Sequence, residues 1–269
     1  MIVKTVIAVL LVIVLSLLAV FYLDRADNGA PGHSRAVQRL IERNVAARGG
    51  AAAWQAVSAL RQSGRMDVGQ EMTLPYVLEQ KRPGKMCLEF VFDEQTSTQC
   101  VDGQTGWKVV PFQGRTTPEP MTAAERREMA DTADPYGLLF DSAARGHRVE
   151  LLGQEPVEGR NAYKLKVSLP GGAVRWLYLD AETGLEIKLE ALRMLAGRER
   201  RVETFFRDWQ PAEGLLIARR QDTRTEGDKA SHFLTVESVE INPPLDDARF
   251  AMPASRKVDP GFASTAAHP

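Results

Sequence analysis

From Thr5 to Leu23 the chain is apolar without a charge, Gly or Pro, and after it the apolar residues return in two shorter rhythms. A helix through the first stretch, at about 1.5 Å per residue, is roughly 28 Å long, close to a bilayer core of about 30 Å. Lys4 precedes it and Asp24-Arg25 closes it. The segment ends Ala-Val-Phe-Tyr-Leu, a poor cleavage site, and no Cys follows it for lipidation. An uncleaved signal anchor over 1–23 is the favoured reading, with a cleaved signal as the alternative. Lys4 and the free amino terminus stay inside, so the body is sent outward.

The next rhythm is helical. Asp24 to Gly32, with Asn-Gly and Pro-Gly, reads as a linker, assigned to 24–33. Ser34 can cap a helix carrying Val37, Leu40, Ile41 and Val45 on one face, closed by Gly49-Gly50. Ala51 to Leu60 predicts a second short helix with Ala53, Trp54, Val57 and Leu60 on one side.

Period-two alternation then dominates. It shows at Met72, Leu74, Tyr76 and Leu78; at Met86, Leu88, Phe90 and Phe92; at Tyr163, Leu165, Val167 and Leu169; and at Leu185, Ile187, Leu189 and Ala191. Further strands are expected over His147–Glu155, Val174–Asp180, Glu199–Trp209, Leu215–Arg224 and Ser231–Ile241. Turns such as Pro83-Gly84, Asp102-Gly103, Glu158-Gly159, Gly171-Gly172 and Thr183-Gly184 punctuate them. Short strands at this spacing predict an antiparallel sheet, sandwich or barrel. Two helical signals interrupt it. Thr122 and Glu125 fit a capping box. Asp134-Pro135 opens a predicted helix with Tyr136, Leu139, Phe140 and Ala143 as its stripe, closed at Gly146. The domain is drawn over 34–253, and 254–269 reads as a disordered tail.

Cys87 and Cys100 are the only cysteines. If Asp93-Glu94 makes a two-residue turn, Phe92 pairs with Gln95, and counting outward sets Cys87 opposite Cys100. Opposed residues of an antiparallel pair come close enough to bridge, and an exported chain meets an oxidising compartment. A disulfide is expected, with two facing free thiols as the alternative.

Charge narrows the partners. The net charge is −1, and Arg198-Glu199-Arg200-Arg201 is broken by an acid, so nothing points to nucleic acid. Chemistry is sparse. His33, His147, His232 and His268 are scattered, and no metal motif, nucleophile elbow, phosphate loop or dinucleotide fingerprint occurs. Edge or surface positions are expected for His147 and His232. Asp246-Asp247 reads as the cap of a short turn before Phe250. Neither catalytic residues nor a metal or cofactor are proposed, and the chain reads as a non-enzyme.

Four stretches together carry a family resemblance. They are Arg48-Gly49-Gly50 with Trp54, Leu60 and Gly64; Lys81-Arg82-Pro83-Gly84-Lys85 with Asp102-Gly103 and Trp107; Gly153 to Gly159-Arg160, with Tyr163, Leu165, Leu179-Asp180 and Thr183-Gly184-Leu185; and Phe206-Arg207-Asp208-Trp209 with Gly214-Leu215, Val239-Glu240-Ile241-Asn242, Asp246 and Phe250 to Pro253. Across roughly Ala46 to Pro253 the series resembles the superfamily of outer-membrane lipoprotein carriers and related periplasmic lipid-binding proteins. The resemblance implies an α+β, mainly antiparallel fold: an unclosed curved barrel of about 10–11 strands with helices over its concave mouth, here behind an N-terminal transmembrane helix. It also implies a cavity for a lipid or a lipoprotein's acyl chain. The expected lining is Met72, Leu74, Tyr76, Met86, Leu88, Phe90, Tyr136, Leu139, Phe140, Tyr163, Leu165, Val167, Leu185, Ile187 and Leu189. Met66, Met72, Met86, Met129 and Met194 would make an adaptable wall.

The expected function is non-enzymatic acyl-chain binding in lipoprotein sorting or lipid transport. The expected place is the bacterial inner membrane, single-pass, with the domain in the periplasm; a soluble periplasmic protein is the alternative. Relatives also include envelope-stress sensors, so a sensor or protein-interaction module, with an envelope protein as partner, stays open. The missing cleavage site and lipobox set this chain apart from a freely diffusing shuttle.

Overall fold

A computed structural model describes residues 33–69, 72–195 and 197–253. The expected anchor, most of the linker and the expected tail lie outside these residues. Among the described residues, no helix is long and apolar enough to cross a membrane.

The α-helices among the described residues are α1 (Arg35–Ala47), α2 (Ala51–Gln55) and α3 (Ala123–Thr132). The strands are β1 (Ala59–Asp67), β2 (Thr73–Lys81), β3 (Lys85–Phe92), β4 (Gln95–Val101), β5 (Gly106–Val110), β6 (Arg115–Pro120) and β7 (Arg148–Val157), then β8 (Arg160–Ser168), β9 (Val174–Asp180), β10 (Glu186–Leu195), β11 (Arg198–Ala212), β12 (Leu215–Thr225) and β13 (Ser231–Ile241). They form one 13-stranded sheet in the order β6-β5-β4-β3-β2-β1-β13-β12-β11-β10-β9-β8-β7. Two antiparallel meanders thus join where β1 pairs with β13, and the sheet does not close on itself. The strand count exceeds the expected 10–11. β5 and β6 lack clear alternation, and β6 reads Arg-Thr-Thr-Pro-Glu-Pro. Proline fits there because β6 is an edge, where a missing N–H breaks no inner ladder.

Both helix caps follow from the sequence. Ser34 Oγ accepts from Val37 N at 3.3 Å. Thr122 and Glu125 close a reciprocal capping box. α1 lays Val37 and Ile41 on Val149, Leu165, Val167, Leu169, Leu177 and Leu179 of the β7–β9 end. α3 sets Met129 over Met86 and Val101 at the other end of the same face.

Two helical expectations change. α2 stops at Gln55, and Leu60 already belongs to β1. Residues 135–146 form consecutive turns rather than a helix. Gly137, Asp141 and Gly146 all adopt positive φ, which breaks helical hydrogen bonding every few residues. The apolar stripe survives the change, because turns repeat at similar spacing: Tyr136, Leu139 and Phe140 are buried. In this strap of turns, Tyr136 and Phe140 pack on Trp54, Leu215 and Ile217.

The Asp93-Glu94 turn has positive φ at both residues, as a two-residue primed turn requires. It pairs Phe92 with Gln95 and sets Cys87 opposite Cys100, and the two form a disulfide. The disulfide packs with Trp107 and Phe250 on the outer face. There the segment after β13 runs back across the strands. Asp246 caps a turn over Asp247–Arg249 by accepting from Ala248 N at 2.9 Å. Lys81 and Lys85 hold Asp247 at 2.7 and 2.6 Å, Arg249 pairs with Glu79 and Glu89, and Trp107 Nε1 donates to the Phe250 carbonyl at 2.9 Å.

Candidate functional site: a cavity under the strap

The concave face holds a cavity of about 380 Å³ between the two helix-covered ends. Leu60, Met66, Tyr76, Leu78, Met86 and Leu88, from β1–β3, make one side of its wall, with Gln62 and Gln80 among them. Arg175, Leu177, Glu186, Leu189, Arg193, Thr204, Gln221, Thr223, His232 and Leu234, from β9–β13, make the other. Trp54 of α2 and Trp209, Ile217 and Ala218 of β11 and β12 also line it, and Asp134, Pro135, Gly137 and Leu138 form the roof.

The roof is tied down by charge. Arg48, at the end of α1, donates to the Tyr136 carbonyl at 2.9 Å and to Glu186 Oε1 at 3.2 Å, and it stacks over the Trp54 ring at 4.4 Å. Arg82 donates to the Tyr136 hydroxyl and lies over its ring at 4.1 Å. Arg145 donates to the Gly137 carbonyl at 2.5 Å and pairs with Asp134 at 3.5 Å. Burial holds the Arg145 guanidinium below its ordinary pKa despite Asp134. Burial, with the Glu237 carboxylate adding to it, pushes the Tyr76 phenol far upward, so it stays a neutral hydroxyl.

The structure distributes the sequence-predicted lining over several places. Tyr76, Met86, Leu88 and Leu189 line this cavity. Tyr136, Leu139 and Phe140 line a second space of about 560 Å³ on the other side of the strap, against α1. Met72, Leu74 and Phe90 belong to the cluster around Met66, Val68 and Phe112 beside the cavity. Leu165 and Val167 are buried beneath α1, with Tyr163 packed against them. Leu185 is half-buried in the turn before β10. Of the methionines, Met66 and Met86 line the cavity, Met129 belongs to α3 and packs on Met86 and Val101, and Met194 is exposed.

Ile187 lies on the opposite face, with Val157, Ala162, Tyr178 and Phe205. Glu186 pairs with Leu179 while Lys188 pairs with Tyr178, so Ile187 is the extra residue of a β-bulge. Strict alternation through 185, 187, 189 and 191 therefore fails, because one inserted residue reverses every side chain beyond it. The outer cluster carries its own ion network. Lys188 reaches Glu190 at 2.5 Å and Glu203 at 3.1 Å, and the Tyr178 hydroxyl donates to Glu190 at 2.9 Å. Burial alone would raise the Glu190 pKa, but the bonds from Lys188 and Tyr178 outweigh it and lower it.

Both histidines expected at the surface are buried. His147 is 9% exposed, and its Nδ1–H donates to the Leu138 carbonyl at 2.9 Å, which ties the strap to β7. His232 is 7% exposed and lines the cavity. Sequence alone marked His232 only as the second residue of a strand; the alternation His232, Leu234, Val236 is the signal that assigns it inward. Among the described residues, no group of three or more His, Cys, Asp or Glu is placed to hold a metal ion.

No family model matches the chain, and no curated protein does. Solved structures do match in fold. A LolA superfamily protein from Nitrosomonas europaea superposes with a TM-score of 0.56 at 13% identity, over 80% of this chain and 97% of its own. A putative outer membrane lipoprotein-sorting protein domain from Vibrio parahaemolyticus gives 0.54 at 14% identity, over 79% and 94%. A DUF1329 family protein from Desulfovibrio piger gives 0.51 at 11% identity, over 81% and 98%. The resemblance read from the four sequence stretches and the likeness in three dimensions name the same fold.

Proposed function

We propose that this fold serves here as a non-enzymatic acyl-chain receptor, in which the cavity under the strap takes up a lipid or the acyl part of a lipoprotein. The observation that carries the reading is the cavity itself. Its volume of about 380 Å³ falls within the range of small-molecule sites, roughly 300–1,000 Å³. Its β1–β3 side is mainly aliphatic, methionine-rich and aromatic, with Gln62 and Gln80 the polar residues on it. Each acyl CH₂ moved there from water gains about 0.8 kcal/mol, enough to drive uptake without any covalent chemistry. The strap of turns, held by a few ion pairs and carbonyl contacts rather than by a helix, is the element whose lifting would admit a chain.

The full reading places residues 1–23 as a membrane anchor, 24–33 as a linker, 34–253 as a periplasmic domain and 254–269 as a tail. A domain held at the inner membrane would pass acyl chains locally, in lipoprotein sorting or lipid transport, rather than carry them across the periplasm. Two of the folds it matches bear on that role: one is of the LolA superfamily, the other is described as lipoprotein-sorting.

Native mass spectrometry of the full chain released from detergent, followed by lipid extraction, tests this. The expected result is a bound acyl lipid at one per chain, or uptake of added 1-dodecanol by lipid-stripped protein. Protein that is empty as purified and takes up no 1-dodecanol would overturn it.

A further inference from the structure

The cavity wall divides into two chemistries, and strand register shows where the division falls. On the β1–β3 side Leu60, Met66, Tyr76, Leu78, Met86 and Leu88 outnumber the two polar residues, Gln62 and Gln80. On the other side a row of paired positions runs from Leu189 to Thr204, from Thr204 to Thr223 and from Thr223 to His232. The two threonine hydroxyls lie 3.4 Å apart. His232 is buried at the end of this row, and its Nδ1 has no hydrogen-bond partner among the described residues. The residue lines the cavity, and its buried, unpaired ring nitrogen would gain a hydrogen bond from a ligand atom brought against it. Two residues along β13, Leu234 begins the apolar side, paired with Met66 of β1.

Resting on the acyl-chain reading above, we infer that the ligand is a single-chain amphiphile. Its oxygen-bearing head hydrogen-bonds to His232 Nδ1 beside Thr223, and its tail crosses Leu234 and Met66 toward Leu78 and Leu88. A cavity of about 380 Å³ lies near the lower end of ligand-site volumes, which suits one chain and not two. A free fatty acid and a monoacyl phospholipid share this chemistry. An interaction at the head and a sliding apolar fit at the tail would make the site selective for the head and tolerant of chain length.

The test is binding to the full chain in detergent, read by displacement of a fluorescent fatty acid. The competitors are dodecanoic acid, 1-lauroyl-lysophosphatidylcholine, the head-less 1-chlorododecane and the two-chain dilauroylphosphatidylcholine. Binding of 1-chlorododecane reports on the acyl-chain reading alone. The present inference predicts that dodecanoic acid or the lysolipid binds about tenfold tighter than 1-chlorododecane, the worth of one good hydrogen bond. Whichever of the two binds tighter identifies the source of the head. His232→Leu should bring the ratio to near unity. His232→Asn, which returns a polar atom near the Nδ1 position, should restore most of the preference and shows that loss is not misfolding. An unchanged ratio in His232→Leu overturns the proposal. So does a collapse in Tyr76→Phe instead, since the Tyr76 hydroxyl also lacks a partner among the described residues. Equal or tighter binding of dilauroylphosphatidylcholine overturns the single-chain assignment.

Discussion

Arg48 Nη1 lies 3.2 Å from Glu186 Oε1, and the same nitrogen donates to the Tyr136 carbonyl. One guanidinium therefore joins three parts of the molecule: the end of α1, the strap and the bulged strand β10. Both side chains are nearly closed to solvent, at 11% and 9% exposure. Removing one partner of such a buried pair leaves the other charge uncompensated, at a cost of roughly 3–5 kcal/mol. Arg48→Met is expected to destabilise the domain by about 3 kcal/mol in urea or guanidinium unfolding. Arg48→Met combined with Glu186→Gln should recover part of that loss. A midpoint for Arg48→Met equal to wild type would show that the pair does not hold the strap.

The disulfide closes a short loop, with its cysteines separated by 13 positions. Chain-entropy arguments assign about 3 kcal/mol to a loop of that order. The double substitution Cys87→Ala with Cys100→Ala should lower stability by about 2–3 kcal/mol and leave dodecanol uptake unchanged, because the bond packs on the outer face with Trp107 and Phe250. Intact mass with and without reductant should differ by two hydrogens. An identical mass would contradict the bond.

How much of this was written legibly in the chain depends on how local each signal is. Ser34, Thr122 with Glu125, and the Asp93-Glu94 turn act within a few residues, and each feature appears where its residues predict it. β5 and β6 escaped because Gly106 to Pro120 has no clean alternation, and an edge strand is held by its one neighbour rather than by a buried face. The strap differs from the expected helix because Tyr136, Leu139 and Phe140 have a spacing that a helix and a chain of turns share; Gly137 at positive φ decides between them. The cavity was the least legible part. Which alternating residue faces an open space, and which a helix, depends on what packs from far along the chain, as α1 does over Leu165 and Val167.

The bulge at Ile187 separates two roles that plain alternation would merge. Ile187→Ala should cost about 2–4 kcal/mol, since the side chain is buried against Tyr178 and Phe205, yet it should leave ligand affinity unaltered. Leu189→Ala should do the reverse, costing little stability and weakening 1-dodecanol binding several-fold, because Leu189 lines the cavity. Thermal unfolding and displacement titration on the same two proteins check the pair. Weakened binding in Ile187→Ala would place that residue inside after all.

Acid should loosen the C-terminal segment first. Hydrogen bonds from Lys81 and Lys85 hold the Asp247 carboxyl at a pKa of about 2, below its ordinary 3.8. A carboxyl depressed on folding contributes stability that is present above the ordinary value and is lost as pH falls through the folded one. Detachment is therefore expected between about pH 4 and 2, and earlier in high salt, because Asp247 is exposed and its pairs are screened. Trp107, whose indole donates to the Phe250 carbonyl, supplies a fluorescence signal for the step. In Asp247→Asn that signal should lose its acid transition; a transition that persists would assign it to another carboxyl.

Leu78 offers the sharpest separation of folding from function. It is half-buried, pairs with Gln62 and Leu88, and points its apolar side chain at the cavity. Enlarging a residue in a packed core forces neighbours aside and costs typically about 1–3 kcal/mol. Enlarging one beside open volume meets no such resistance. Leu78→Trp should therefore cost under about 1 kcal/mol while occupying the space an acyl tail would need. The expected pair of results is a near wild-type unfolding midpoint and loss of 1-dodecanol uptake by at least about tenfold, the equivalent of 1.4 kcal/mol. A destabilised protein that still binds would mean that the cavity near Leu78 is filled by packing and that the tail lies elsewhere. A stable protein that still binds would place the ligand in the second space, between α1 and the strap.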